Sequence, residues 1–235
     1  MDKLIKYKKS VIVSCDVRAI GHLRKLVEQT CNVPKVGGYK VGPILSIRYG
    51  LPKVVKEIRK LTDLPVIYDH QKGGTDIPAL GKEFISAVKS SGADALILFP
   101  MSGPASEETW INDAEEAGLK VIVGGEMTHP KYKRSEGGYI HDDALDEMYL
   151  LAAGMGVRDF VVPGNKSDRI KHYKELLNKA VGKEIVFYSP GFILQGGSIA
   201  AAAKAAGERW HAIVGRYIYS AENMRKAASE ITRKL

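Results

Sequence analysis

Eight short runs rich in β-branched residues recur along the chain, and each leads into a stretch with helical periodicity. The runs are Val11 to Cys15, Lys35 to Val41, Leu64 to Tyr68, Asp94 to Phe99, Lys120 to Gly125, Asp159 to Val162, Glu184 to Tyr188 and His211 to Val214. The helix-like stretches are Ala19 to Thr30, Leu51 to Leu61, Pro78 to Ser91, Ala105 to Ala117, Asp142 to Gly154, Asp168 to Ala180, Ser198 to Ala206 and Ala221 to Lys234. Such alternation calls for parallel strands joined by crossover helices. Eight units in 235 residues predict an α/β fold, a single-domain (β/α)8 TIM barrel over residues 1–235, with a doubly wound open sheet as the alternative. Gly92, Gly118, Gly154 and Gly156 follow helix-like stretches, where glycine suits the left-handed residue that ends a helix.

Composition narrows the function classes. Hydrophobic residues make up 45% and charged residues 26%, and no apolar run reaches the ~18 residues that a membrane helix needs. The basic segment Met1 to Lys9 is not followed by the apolar core of a signal peptide, so a cytoplasmic location is expected. Cys15 and Cys31 lack metal-ligand spacing, and no structural disulfide is expected. The formal charge of +8 points to anionic partners. Lys and Arg are scattered without a basic-aromatic motif, so a small anion is expected and nucleic acid is not.

Barrel enzymes assemble their sites where strand C-termini meet the following loops. Those positions are Asp16, Lys40, Asp69, Pro100, Glu126, Gly164, Pro190 and Arg216, five of the eight charged. The third strand runs into Asp69-His-Gln-Lys72-Gly-Gly-Thr-Asp76. Opposed charges crowded beside an apolar strand are costly to bury unless paired, and they cluster at catalytic sites. The plainer possibility is a solvated loop. After the seventh strand comes Ser189-Pro-Gly-Phe-Ile-Leu-Gln195-Gly-Gly197, and after the eighth Val214-Gly215-Arg216. Loops at these two positions often cradle phosphate through backbone N–H groups, with the Gln195 amide and the Arg216 guanidinium as further donors. The longest irregular stretch, His129 to His141, follows the fifth strand and is either a flap over the site or a surface loop.

Taken in order, these motifs resemble the orotidine 5′-monophosphate decarboxylase family over nearly the whole chain. The resemblance rests on Cys15-Asp16, Tyr39-Lys40-Val41-Gly42, the Asp69/Lys72/Asp76-Ile77 cluster, Gly125-Glu-Met-Thr128-His-Pro130, Ser189-Pro-Gly191 with Gln195-Gly-Gly197, and Val214-Gly-Arg-Tyr-Ile-Tyr219. It implies decarboxylation of orotidine 5′-monophosphate to UMP in pyrimidine biosynthesis, without metal or organic cofactor, by a homodimer with shared active sites. Lys40, Asp69, Lys72 and Asp76 would form a charged tetrad, Asp76 reaching into the neighbouring subunit's site and Lys72 protonating the C6 carbanion. Asp16 and Lys40 would hold ribose hydroxyls, Thr128 the pyrimidine edge, Pro190 the base, and Gln195, Gly215 and Arg216 the phosphate.

Two positions depart from the family pattern. Asp-x-Lys-x-x-Asp is lengthened here by one residue on each side of Lys72, and Leu80 stands where a ribose-binding threonine is expected. The longer loop either bulges outward around Gly73-Gly74 or marks a changed substrate. Two other functions fit the same motifs. One is a metal-dependent decarboxylase or aldolase of phosphorylated sugars, which resembles this chain but has a metal-binding carboxylate where Lys40 stands; Glu126, His129, Asp69 and His70 are candidate ligands without a compact ligand motif. The other is a regulatory barrel that binds nucleotides without turnover. His22, His141, His172 and His211 read as surface or packing residues, and Tyr217 and Tyr219 as core or interface aromatics.

Overall fold

A computed structural model describes residues 3–70, 76–192 and 198–235. Its eight strands close into a parallel barrel in chain order, with the first hydrogen-bonded to the last. They are β1 (Lys9–Ser14), β2 (Val36–Val41), β3 (Val66–Asp69), β4 (Ala95–Leu98), β5 (Lys120–Gly124), β6 (Asp159–Val161), β7 (Val186–Ser189) and β8 (Trp210–Val214). Closure rules out the open doubly wound sheet, which would leave two strands with one neighbour each.

The crossover helices are α1 (Ile20–Thr30), α2 (Pro43–Tyr49), α3 (Leu51–Arg59), α4 (Gly81–Ser90), α5 (Pro104–Glu116), α6 (Asp142–Gly154), α7 (Ser167–Val181) and α8 (Ile199–Ala206). After β8 come α9 (Arg216–Tyr219) and α10 (Met224–Thr232). Each longer helix buries one stripe: in α1, Leu23, Leu26, Val27 and Thr30 follow the helical period and lie against the sheet. Two helices stand between β2 and β3 where one was expected, because Gly50, at φ 78°, breaks the chain between α2 and α3. Gly92, Gly118 and Gly156 take the expected left-handed conformation, whereas Gly154 is still helical.

Strand residues alternate between two cores, as the period of two requires. Ile12, Ile67, Ile97, Ile122, Val161 and Ile213 fill the barrel interior, with Ile5 tucked among them from the segment before β1. Val11, Val13, Tyr39, Leu96, Phe160 and Phe187 face the helices. Gly124 is one place where only glycine fits, since a Cβ there would run into the Phe99 ring inside the barrel. Both cysteines are free thiols. No helix among the described residues is long and apolar enough to cross a membrane.

Candidate active site

The C-terminal mouth of the barrel opens into a cavity of about 440 Å³, within the range of small-ligand sites. Its wall includes Asp16, Lys40, Asp69, Thr128, Pro190, Gly215 and Arg216, seven of the residues expected from the strand ends and motifs. Lys72 and Gln195 lie outside the described residues. Asp76 does not line this cavity. It is exposed, and its Oδ1 accepts its own neighbour's N–H from Ile77, while its carbonyl accepts the Ser102 and Ser106 hydroxyls.

Lys40 is the centre of the charged group. β2 buries both faces, so its ammonium is almost wholly enclosed, 2.7 Å from Asp69 Oδ2 at the end of β3 and 3.4 Å from Asp16 Oδ1 just past β1. Burial alone would lower the lysine's pKa, but the carboxylates of Asp69 and then Asp16 outweigh it and hold it above the ordinary lysine range. Ser14 donates to Asp16 Oδ2 at 2.7 Å, which fixes the second carboxylate. Gly42 keeps room for it, since a Cβ would sit 2.9 Å from Asp16 Oδ1. Among the described residues Asp69 Oδ1 is buried without a hydrogen-bond partner. A buried carboxylate oxygen in this state is a strong acceptor.

Across the cavity a second charged group organises the wall. The Glu126 side chain is fully enclosed and accepts from Lys166 at 3.0 Å, Arg169 at 2.7 Å and the Tyr173 hydroxyl at 2.6 Å, with Lys133 at 3.9 Å. Burial alone would raise its pKa, but the hydrogen bonds from Tyr173, Arg169 and Lys166 carry it below the ordinary range. Glu136, Asp146 and His172 extend the network. Thr128, two residues beyond Glu126, is tied in through its carbonyl by Asn165 at 3.0 Å.

The 129–141 segment is a surface loop, mostly exposed, with one buried anchor. Tyr132 is buried and donates to the Gly125 carbonyl, and Lys133 and Ile140 form a β-bridge. The metal-ligand candidates do not gather. Glu126 is engaged by cations, His70 is bonded to the Tyr68 hydroxyl and His129 is exposed. Among the described residues no group of three His, Cys, Asp or Glu side chains is placed to hold a metal ion.

Several contributors escaped sequence reasoning. Ser14, Tyr217 and Tyr219 line the cavity; the tyrosines also pack against the core, as the sequence reading has them. The cations around Glu126 come from the 129–141 loop and from the start of α7, so no local motif announces them. His22, His172 and His211 are bonded to the Tyr219 carbonyl, Asp146 and Ser10 respectively, His141 is exposed, and none of the four lines this cavity.

A family model described as "Orotidine 5'-phosphate decarboxylase / HUMPS family" matches residues 9–231. The chain belongs to this family. Within the orotidine 5'-phosphate decarboxylase / HUMPS family, the chain is 28% identical over 228 residues to orotidine 5'-phosphate decarboxylase of Methanosphaera stadtmanae, covering 97% of this chain and 98% of that one. It is 31% identical over 225 residues to the Methanosarcina mazei enzyme of the same name, covering 96% and 94%. The structure of orotidine 5'-monophosphate decarboxylase from Methanocaldococcus jannaschii, complexed with inhibitor BMP, superposes with a TM-score of 0.84 at 27% identity, covering 97% of this chain and 98% of that chain.

Proposed function

We propose that the chain is a lyase that decarboxylates orotidine 5′-monophosphate to UMP. The observation that carries this function is the buried Asp69–Lys40–Asp16 array at the mouth formed by β1 to β3, in a chain whose full-length relatives bear that enzyme's name. An ammonium locked between the two carboxylates also opposes the metal-dependent branch, because a divalent cation drawn to Asp16 and Asp69 would face Lys40 at contact distance.

The chemistry is heterolytic. The bond from C6 to the carboxylate carbon breaks, CO₂ leaves, and its electron pair stays on C6 with no good delocalised sink, so stabilisation has to come from fixed charges. Lys72 is assigned to stabilise the carbanion and to give it a proton, forming UMP; the amine then regains its proton from solvent. Asp69, with one oxygen on Lys40 and the other unpartnered among the described residues, orients Lys72 and crowds the departing carboxylate. Asp16 and Lys40 hold the ribose hydroxyls, Thr128 the pyrimidine edge and Pro190 the base. Gln195, Gly215 and Arg216 grip the phosphate, whose binding energy is used at the reacting carbon.

Asp76 completes the tetrad of a second subunit in a cytoplasmic homodimer. Its exposure outside its own chain's cavity fits that role. So do the exposed Ile44 and Ile47 on α2, which follows β2, and Ile77 and Leu80, which follow the adjacent β3.

The test is metal-free turnover of orotidine 5′-monophosphate, followed by the ultraviolet change as UMP forms, with Lys72→Ala as control. Turnover abolished in the control is expected. Tight UMP binding without turnover by the native chain would replace the enzyme with a nucleotide-binding barrel. Mixing inactive Lys72→Ala and Asp76→Ala chains should restore some activity if sites are shared.

A further inference from the structure

The opposite, N-terminal mouth of the barrel holds a second cavity, of about 690 Å³. Barrel interiors are ordinarily filled by bulky apolar layers, and here the middle of the barrel obeys that rule. The lowest does not. Ser10, Lys120, Asp159 and His211 stand two residues below Ile12, Ile122, Val161 and Ile213 on their strands, so they share the inward face.

His211 is wholly buried on the wall of this cavity. Its Nδ1 is 2.8 Å from the Ser10 hydroxyl, while its Nε2 has no hydrogen-bond partner among the described residues. Burial, reinforced by the nearby Arg209, pushes the imidazole pKa down to about 3, so the ring is neutral at physiological pH. With the Ser10 hydroxyl as donor to Nδ1, the ring proton sits on Nε2, a buried N–H of the cavity wall with no acceptor among the described residues.

The rest of the wall is cationic. Lys3, Lys120, Arg158, Lys174, Lys183 and Arg209 line it against three carboxylates. Two of the three carboxylates are engaged: Asp159 accepts the Tyr188 hydroxyl at 2.9 Å, and Glu208 lies 3.8 Å from Lys8. Arg158 and Arg209 are partly committed to backbone carbonyls. The four lysines form no ion pair among the described residues; Lys120 and Lys174 are half-buried, with Lys120 within electrostatic reach of Asp159. Partly enclosed, unpaired ammonium groups around a neutral donor form a set suited to an oxyanion.

We propose that the N-terminal mouth is a second ligand site, binding a small phosphate-bearing anion in the recess between Lys120, Lys174 and His211. A recess of this size accommodates a small molecule, whereas nucleic acid is ordinarily met by an open basic stripe or groove. The site is separate from the catalytic mouth, since the apolar interior layers lie between them.

The test is calorimetric titration of inorganic pyrophosphate into the full chain at about 0.15 M salt, where loosely held counter-ions are screened. An Arg216→Ala background weakens the phosphate end of the upper cavity, so the lower mouth is read alone. One saturating equivalent per chain is expected there. Adding Lys120→Gln and Lys174→Gln should weaken it at least about tenfold, the loss of roughly one charge-assisted hydrogen bond. Lys183→Glu, on the exposed rim, should weaken it as well and serves if the double substitution disturbs folding. Absence of saturable binding, unchanged affinity in the lysine variants, or preference for a single-stranded RNA over pyrophosphate would each overturn the proposal.

Discussion

Replacing Glu126 by Gln is the sharpest test of how the cavity wall is held. The substitution keeps shape and removes one charge. One carboxylate oxygen becomes an NH₂ group, and whichever way the amide turns, that donor meets another donor: Lys166 on one side, or Arg169 and Tyr173 on the other. Removing one member of a buried ion pair typically costs about 3–5 kcal/mol. Glu126 itself is fully enclosed, but the Lys166 and Arg169 side chains keep 20% and 26% of their exposure and have Glu136 and Asp146 as second partners. Water and those carboxylates soften the loss, which places it near the lower figure, about 3 kcal/mol. For a chain of this size that is a fall in Tm of roughly 6–12 °C.

The effect has a pH signature. Glu126 is held below its ordinary pKa in the fold, so its contribution is complete above the unfolded value of about 4.3 and is lost as pH falls through the lower folded value. Native and variant melting curves should therefore differ most near neutrality and converge in acid. Thr128 follows two residues later, so KM should rise more than kcat falls. A Tm within about 2 °C of native at neutral pH, less than 1 kcal/mol, would show that the network is not what holds this wall.

Three further outcomes follow from the geometry. Lys40→Met removes the cation between two carboxylates and should lower turnover by on the order of 10²–10³, measured by the same ultraviolet assay; near-native turnover would contradict its central place. Arg216→Ala should weaken UMP binding about tenfold or more, the worth of a charge-assisted contact, with little change in Tm. Glu107, buried at the start of α5 with Oε1 unpartnered, has its pKa pushed up to about 8 by burial and then by Glu108. The fold keeps that proton longer than the unfolded chain does, so the associated stability is complete below about pH 4.3 and declines as pH rises through about 8. Glu107→Gln should flatten that decline, by up to on the order of 3 kcal/mol in denaturation at alkaline pH, and an unchanged slope would refute the assignment.

The barrel was legible because its strands are short β-branched runs at regular spacing, and because residues at strand ends are placed by topology alone. Asp16, Lys40 and Asp69 were found in that way. Helix α2 was missed for a physical reason: Ile44 and Ile47 are exposed, so Pro43–Tyr49 shows no apolar stripe facing the sheet, and Gly50 interrupts the period. The Glu126 network was missed because its partners come from the 129–141 loop and from the first turns of α7, about 40 residues on, and composition does not pair charges. Tyr217 and Tyr219 pack against the core as read, and they also line the cavity; an aromatic beside a strand end looks the same in sequence with or without that second role.

Closure of the sheet bears on how copies of this chain meet. Every strand has two hydrogen-bonded neighbours, so the barrel offers no free edge onto which a foreign strand can zip. The usual backbone route to amyloid-like stacking is closed while the barrel stays intact. Association is left to side chains on helices and loops, such as Ile47, which is 86% exposed on α2. Oligomer state therefore becomes a property that single surface substitutions can tune without touching the hydrogen-bonded ring.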